Sequence, residues 1–343
     1  MMKTTDFHKY LTKFFTSYLK EERRVSTNTI AAYRDSILLF IEFMKTECKI
    51  PLQRFTLGSI TKDRICDFLN WLRKKRGNSD ATCNYRLAAI HAFVDYVQYH
   101  DVANMSEWQK IMSIRPVRNE SKSPEYLTVE SIKLLLDQPD VTTKEGRRHL
   151  AVLAVMYGVG ARVQEVADLT LDSLRIDSTP YTIRIIGKGK KARIVPLVGE
   201  QVAIIRKYCG DYGLDMIEDK THPLFFNRRR EKLTRGGISH ILGRYVSLAK
   251  EKNPALMPER ICCHSLRHSK AMHLLQAGVN LIYIRDILGH ASIQSTDIYA
   301  RADSSAKRAA IEQAYTPTIK SKADAGRWES DENLKNWLKS LGK

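Results

Sequence analysis

The stretch Tyr181-Thr182-Ile183-Arg184-Ile185-Ile186-Gly187-Lys188-Gly189-Lys190-Lys191-Ala192-Arg193-Ile194-Val195-Pro196-Leu197 decides the fold class. Tyr181, Ile183 and Ile185 alternate with Thr182 and Arg184, the two-residue period that lines one face of a strand with apolar side chains. Ile194 and Val195 resume the apolar pattern after Gly187 to Lys191, which predicts a β-hairpin with a basic tip able to enter a groove. Helical spacing prevails on both sides of it. The expected class is mainly α with one small sheet, the sheet belonging to an α+β C-terminal half.

Working back toward the N-terminus, Phe7, Tyr10, Leu11, Phe14, Phe15, Tyr18 and Leu19 recur at helical spacing. Ser26 can cap a second helix carrying Ile30, Tyr33, Ile37, Leu38 and Ile41. Thr61 opens a third, with Ile65, Phe68, Leu69 and Leu72, which stops at Gly77; Ser79 opens a fourth, with Leu87, Ile90, Phe93, Val94 and Val97. A four-helix domain over residues 1–112 follows. Residues 113–126, with Pro116, Pro124, Arg115, Arg118 and no periodicity, read as a basic linker. Beyond it, helices are expected near 149–157, 201–212, 237–252, 265–276, 282–288 and 293–300. Residues 127–315 would form the second domain and 316–343 a tail. In that tail Ser330 can cap a helix whose Leu334, Trp337, Leu338 and Leu341 make one apolar stripe.

Fifty-six Lys and Arg against 38 Asp and Glu leave a formal charge of +18, spread along the whole chain. That balance calls for a polyanionic partner contacted by several faces, nucleic acid before any other. Arg73, Lys74, Arg76 and Arg86 are candidate phosphate contacts with a solvated surface charge as the equal alternative, and Arg115, Arg118, Lys190, Lys191 and Arg193 are candidate phosphate contacts as well. No apolar run of about 18 residues suggests a membrane span, and the N-terminus lacks the apolar core of a signal peptide. A cytoplasmic, nucleoid-associated location is expected. The six cysteines have no disulfide-framework spacing and should be reduced.

The C-terminal half also holds the groups that metal-free phosphodiester chemistry needs. Two guanidinium forks can neutralise the non-bridging oxygens of a phosphoryl-transfer transition state, a tyrosine can attack phosphorus, and a lysine or histidine can protonate the leaving oxygen. His264 and Arg267 lie three apart at the start of a predicted helix and share a face. Glu165 is read as structural, holding Arg162 or nearby backbone, since a carboxylate beside a phosphate would repel it. Cys262, Cys263, His264 and His268 crowd together and leave zinc open as a rival, with no second ligand pair of the usual spacing.

In chain order Gly160-Ala161-Arg162-Val163-Gln164-Glu165, Gly187-Lys188-Gly189 to Leu197, His264-Ser265-Leu266-Arg267-His268, Leu288-Gly289-His290 and Thr296-Asp297-Ile298-Tyr299 resemble the motifs of the tyrosine recombinases, or phage integrases. The resemblance implies an N-terminal core-binding domain and a catalytic domain that close around the duplex as a clamp. It implies Arg162 and Arg267 as the phosphate clamp, Lys188 as the acid for the 5′ oxygen, and His264 as the base assisting Tyr299. It further implies a His290 hydrogen bond to a non-bridging oxygen and Tyr299 as the nucleophile. Double-stranded DNA with specific recombination sites would be the partner, and four protomers, identical or shared with sister recombinases, would pass through a Holliday junction. No cofactor is expected, because the phosphotyrosyl link keeps the bond energy. The tail resembles extensions of mobile-element recombinases, and its apolar stripe is expected to contact a neighbouring protomer. A chromosome- or plasmid-dimer resolvase, a type IB topoisomerase and a catalytically silent DNA-binding paralogue are the alternatives.

Overall fold

The computed structural model describes residues 5–118, 125–187, 189, 191–290, 292, 296, 299 and 332–340, the side chains of 333–335 excepted. The chain divides into two compact units, Met1–Ser121 and Lys122–Lys343.

The first unit is helical. Helix α1 (Asp6–Lys13), capped by Thr5, runs directly into a π-helix over Phe14–Glu22. Helices α2 (Thr27–Thr46), α3 (Lys62–Lys74) and α4 (Asp80–Val97) start where Ser26, Thr61 and Ser79 accept a backbone N–H of the first turn. These are the starts the sequence predicts. A fifth helix, α5 (Met105–Met112), lies where no helix is expected and buries Trp108 and Ile111. Phenylalanines fill the core: Phe7 stacks on Phe55 at 4.2 Å between centroids, and Phe14 meets Phe93 edge to face at 5.3 Å.

The second unit is built around α7 (Lys144–Gly158), in which every residue from Ala151 to Met156 is buried. A helix apolar on all sides belongs in the middle of a core. Around it lie α6 (Val129–Leu136), α8 (Val163–Ala167), α9 (Gly199–Tyr212), α10 (Arg235–Lys252), α11 (Cys263–Gln276) and α12 (Leu281–Leu288). The hairpin forms as β2 (Thr182–Ile186) and β3 (Ala192–Pro196), antiparallel, with Ile183 opposite Val195 and Ile185 opposite Arg193. A two-residue strand β1 (Leu174–Arg175) adds to β2, giving the order β1-β2-β3. Ile183, Ile185 and Val195 face the core, as their alternation requires. All six cysteines are free thiols.

Of the predicted helix at 293–300, only Thr296 and Tyr299 are described, and both have helical backbone. A terminal helix α13 (Glu332–Ser340) is present, with Trp337 57% and Leu338 51% exposed. Leu341, Ser330 and the Leu334 side chain lie outside the described residues.

Candidate functional site

Two tight turns create the site. Helix α7 ends at Gly158, and Gly160 turns the chain with φ +58° so that Arg162 caps α8. Helix α12 ends at Leu288, and Gly289 adopts φ +66°, the left-handed conformation that closes a helix and frees its last carbonyls. Those carbonyls, at the negative end of the helix dipole, gather arginines. Arg267, on α11, donates from Nη1 to the Gly160 carbonyl at 2.7 Å and from Nη2 to the Leu288 carbonyl at 2.8 Å. Arg193 donates from Nε to the Ile287 carbonyl at 2.8 Å, and Arg162 reaches the Gly289 carbonyl at 3.5 Å.

A single buried carboxylate, Glu165, ties two of them together. It accepts from the Arg162 backbone N–H at 2.9 Å and from Arg162 Nη1 at 2.8 Å, and it binds Arg193 Nη2 at 2.7 Å. Burial pushes the Glu165 carboxyl up, but hydrogen bonds from Arg193 and from the Arg162 backbone outweigh it and hold it below its ordinary value. Three guanidiniums around one carboxylate leave net positive charge, the electrostatics of an anion site. Burial, then the neighbouring Arg162, lowers Arg267 to about 10, which still leaves it a cation at neutral pH.

The histidines and the tyrosine stand against this cluster. Tyr299 is buried, its ring 6.4 Å from that of His290 and stacked on it. His290 bonds through Nδ1 to the Thr296 hydroxyl at 2.9 Å. Burial, followed by Arg267, Arg162 and Arg193, drops His290 to about 4, so it is neutral at pH 7. His264 is lowered as well, by burial and then by Arg267 and Arg162. The Tyr299 hydroxyl is 2.7 Å from Nδ1 of His268, a residue the sequence reading leaves outside the catalytic set. His264 sits one turn earlier on the same face of α11, its ring 5.5 Å from that of His268. His264 is the expected partner of Tyr299, but among the described residues the hydrogen bond to the Tyr299 hydroxyl is made by His268.

A cleft of about 420 Å³ opens beside the cluster, lined by Arg162, Lys191, Arg193, Arg285, Gly289 and His290 among others. A second cleft of about 390 Å³ is lined by Arg148, Arg228 and Arg244 but holds no motif residue. At the hairpin tip the Gly187 N–H donates to the Lys191 carbonyl at 2.8 Å, and Lys191 is exposed. Lys188 and Lys190 lie outside the described residues.

The structure corrects the reading of Arg193 as a free DNA-contacting cation of the tip. Its side chain is 11% exposed and its guanidinium is committed to Glu165 and Ile287. The first unit's cations are partly committed too. Arg73 pairs with Asp80 at 2.7 Å, Arg76 with Glu42 at 3.2 Å, and half-buried Arg86 donates to the Ser36 hydroxyl, joining α4 to α2. Lys74, Arg115 and Arg118 are exposed.

Residues 125–306 match the phage integrase family, and residues 12–99 match the phage integrase N-terminal SAM-like domain. The chain belongs to the phage integrase family, the tyrosine recombinases. It is 32% identical to the Sinorhizobium fredii protein y4rC, described as an integrase/recombinase, over 99% of this chain and all of that one. It is 31% identical to the tyrosine recombinase XerC of Herpetosiphon aurantiacus, over 90% of this chain and 96% of that protein. Among solved structures, the XerH site-specific recombinase bound to its difH substrate has the same fold, with a TM-score of 0.65 and 24% identity over 88% of this chain and 84% of that one. Among the described residues no helix is long and apolar enough to cross a membrane.

Proposed function

We propose that this recombinase cuts and rejoins specific DNA sites through a 3′-phosphotyrosyl link on Tyr299, in the service of a bacterial mobile element. The observation that carries the chemistry is the Tyr299 phenol beside a net-positive cluster of Arg162, Arg193 and Arg267 that holds one carboxylate. A phosphodiester seated there meets paired donors where charge develops, with a nucleophile at hand. Arg162 and Arg267 grip the non-bridging oxygens, His264 and His290 contact the same phosphate, and Lys188 protonates the departing 5′ oxygen. A 5′ hydroxyl from the partner duplex then reverses the reaction. Neither ATP nor a divalent cation enters these steps. Four protomers on two DNA sites act pairwise through a Holliday junction, and both units contact the duplex.

The mobile-element role is supported by the tail. It resembles extensions of mobile-element recombinases. The XerC identity favours a second reading, dimer resolution, and inverted repeats or sister recombinase genes in the flanking DNA distinguish the two. A silent DNA-binding paralogue lacks the covalent step. Incubation with a duplex nicked beside the cleavage site therefore tests the chemistry: wild type traps a covalent adduct stable to denaturation, and Tyr299→Phe binds but traps none.

A further inference from the structure

We infer that His268 is the base that takes the phenolic proton of Tyr299 as it attacks phosphorus, a step that rests on Tyr299 being the nucleophile. The geometry is direct. Nδ1 of His268 lies 2.7 Å from the hydroxyl, the two rings are 5.6 Å apart, and among the described residues no other side chain is hydrogen-bonded to that oxygen. With Nδ1 as acceptor the imidazole carries its hydrogen on Nε2, the neutral form with a lone pair aimed at the phenol.

The chemistry requires such a group. An isolated phenol has a pKa of about 10, and burial raises that of Tyr299 further, against the opposing pull of Arg267 and Arg162. A phenolate therefore does not arise unaided at neutral pH. His268 is held at about 4 by burial and then by His264 and Arg267, so its acceptor is free throughout the neutral range. It is a weak base at rest. An incoming phosphate brings negative charge next to Arg267 and Arg162, which raises the histidine's affinity for a proton, while bonding to phosphorus acidifies the phenol. As the Tyr299 oxygen–phosphorus bond forms and the phosphorus–O5′ bond breaks, the proton passes from the hydroxyl to Nδ1, and O5′ takes its proton from Lys188. In the reverse step the imidazolium, disfavoured by burial and by Arg267, returns its proton to the phenol. The two histidines of α11 thereby divide the work: His264, next to Arg162 and Arg267, serves the phosphate, and His268 serves the nucleophile.

His268→Asn tests this, because an amide oxygen accepts the same hydrogen bond but cannot take the proton. His268→Gln is the second variant, and gel-shift binding to the recombination site establishes that whichever is used is folded. The readout is single-turnover cleavage of a nicked duplex whose leaving 5′ oxygen is replaced by sulfur, which removes the need for the acid. We expect the variant to bind as wild type and cleave about 100-fold more slowly at neutral pH. Its rate should rise about tenfold per pH unit as hydroxide replaces the base, while the wild-type rate stays flat. A variant within a few-fold of wild type overturns the inference. So does one that is slow with a flat profile, which marks a group that only orients the phenol, or one faster than wild type, which marks a latch. Tyr299→Phe on the same substrate keeps the two assignments apart: an adduct from it overturns the nucleophile, whereas no adduct beside an unimpaired His268→Asn overturns the base alone.

Discussion

Arg267 combines burial with two main-chain bonds, and both properties shape what its replacement does. Its bonds to the Gly160 and Leu288 carbonyls fix the guanidinium plane before any DNA arrives, so no reorganisation is needed when charge develops. Lysine keeps the charge and loses the fork. We predict that Arg162→Lys and Arg267→Lys each slow cleavage by about 100-fold or more, on the order of 3 kcal/mol in barrier, with binding within a few-fold. Arg267→Lys should also lower the melting temperature, since a buried carbonyl is left without its donor, whereas half-exposed Arg162 should not. Cleavage rates at saturating protein and thermal unfolding measure the two effects. Sequence alone singles out Arg162 and Arg267 as candidates through motif order, and the structural role of Glu165 through its like-charge conflict with a phosphate. It misses the commitment of Arg193, because its partner Glu165 stands 28 residues earlier on a separate helix. Nor does it connect His268 with Tyr299, 31 residues apart, a contact that only the packing of α11 creates.

At the scale of elements, the long periodic helices of the first unit and the alternating hairpin were legible. Ser26, Thr61 and Ser79 open their helices where expected, and the alternation of Ile183 and Ile185 yields the hairpin. Two short helices were missed: α6, of eight residues, and α5, which lies beside the proline-bearing linker. The π-helix after α1 has the same residue pattern as an α-helix and differs only in winding. The hairpin also carries a prediction of its own. Its closing bond, Gly187 to Lys191, brackets a tip whose lysines differ in role on our reading. Lys188→Ala should be nearly inactive on an ordinary substrate and recover when the leaving 5′ oxygen is replaced by sulfur, because a thiolate departs without a proton. Lys190→Ala should change little on either substrate. Sulfur rescue of Lys190→Ala alone would exchange the two assignments, and single-turnover cleavage distinguishes them.

For the whole molecule, two compact units and a charge of +18 suit a protein that holds a polyanion by more than one face. The terminal helix α13 leaves Trp337 and Leu338 more than half exposed, an apolar surface that a helix so short cannot keep in water without docking on something. On our reading a neighbouring protomer covers it. Trp337→Ala with Leu338→Ala should then leave folding and single-site binding intact while weakening two-site synapsis, as sedimentation and gel shift can measure. Unfolding of the isolated variant, with no specific loss of synapsis, would mean that the helix docks on its own unit. All of this depends on the covalent step, and the most direct measurement maps the bond itself. DNA trapped on the wild-type protein by a nicked substrate is digested with protease, and the residue carrying it is identified by mass spectrometry. Our account predicts a 3′-phosphoryl group on Tyr299 and a free 5′ hydroxyl on the other strand end; a link to any other residue, or a 5′-phosphoryl link, would contradict it.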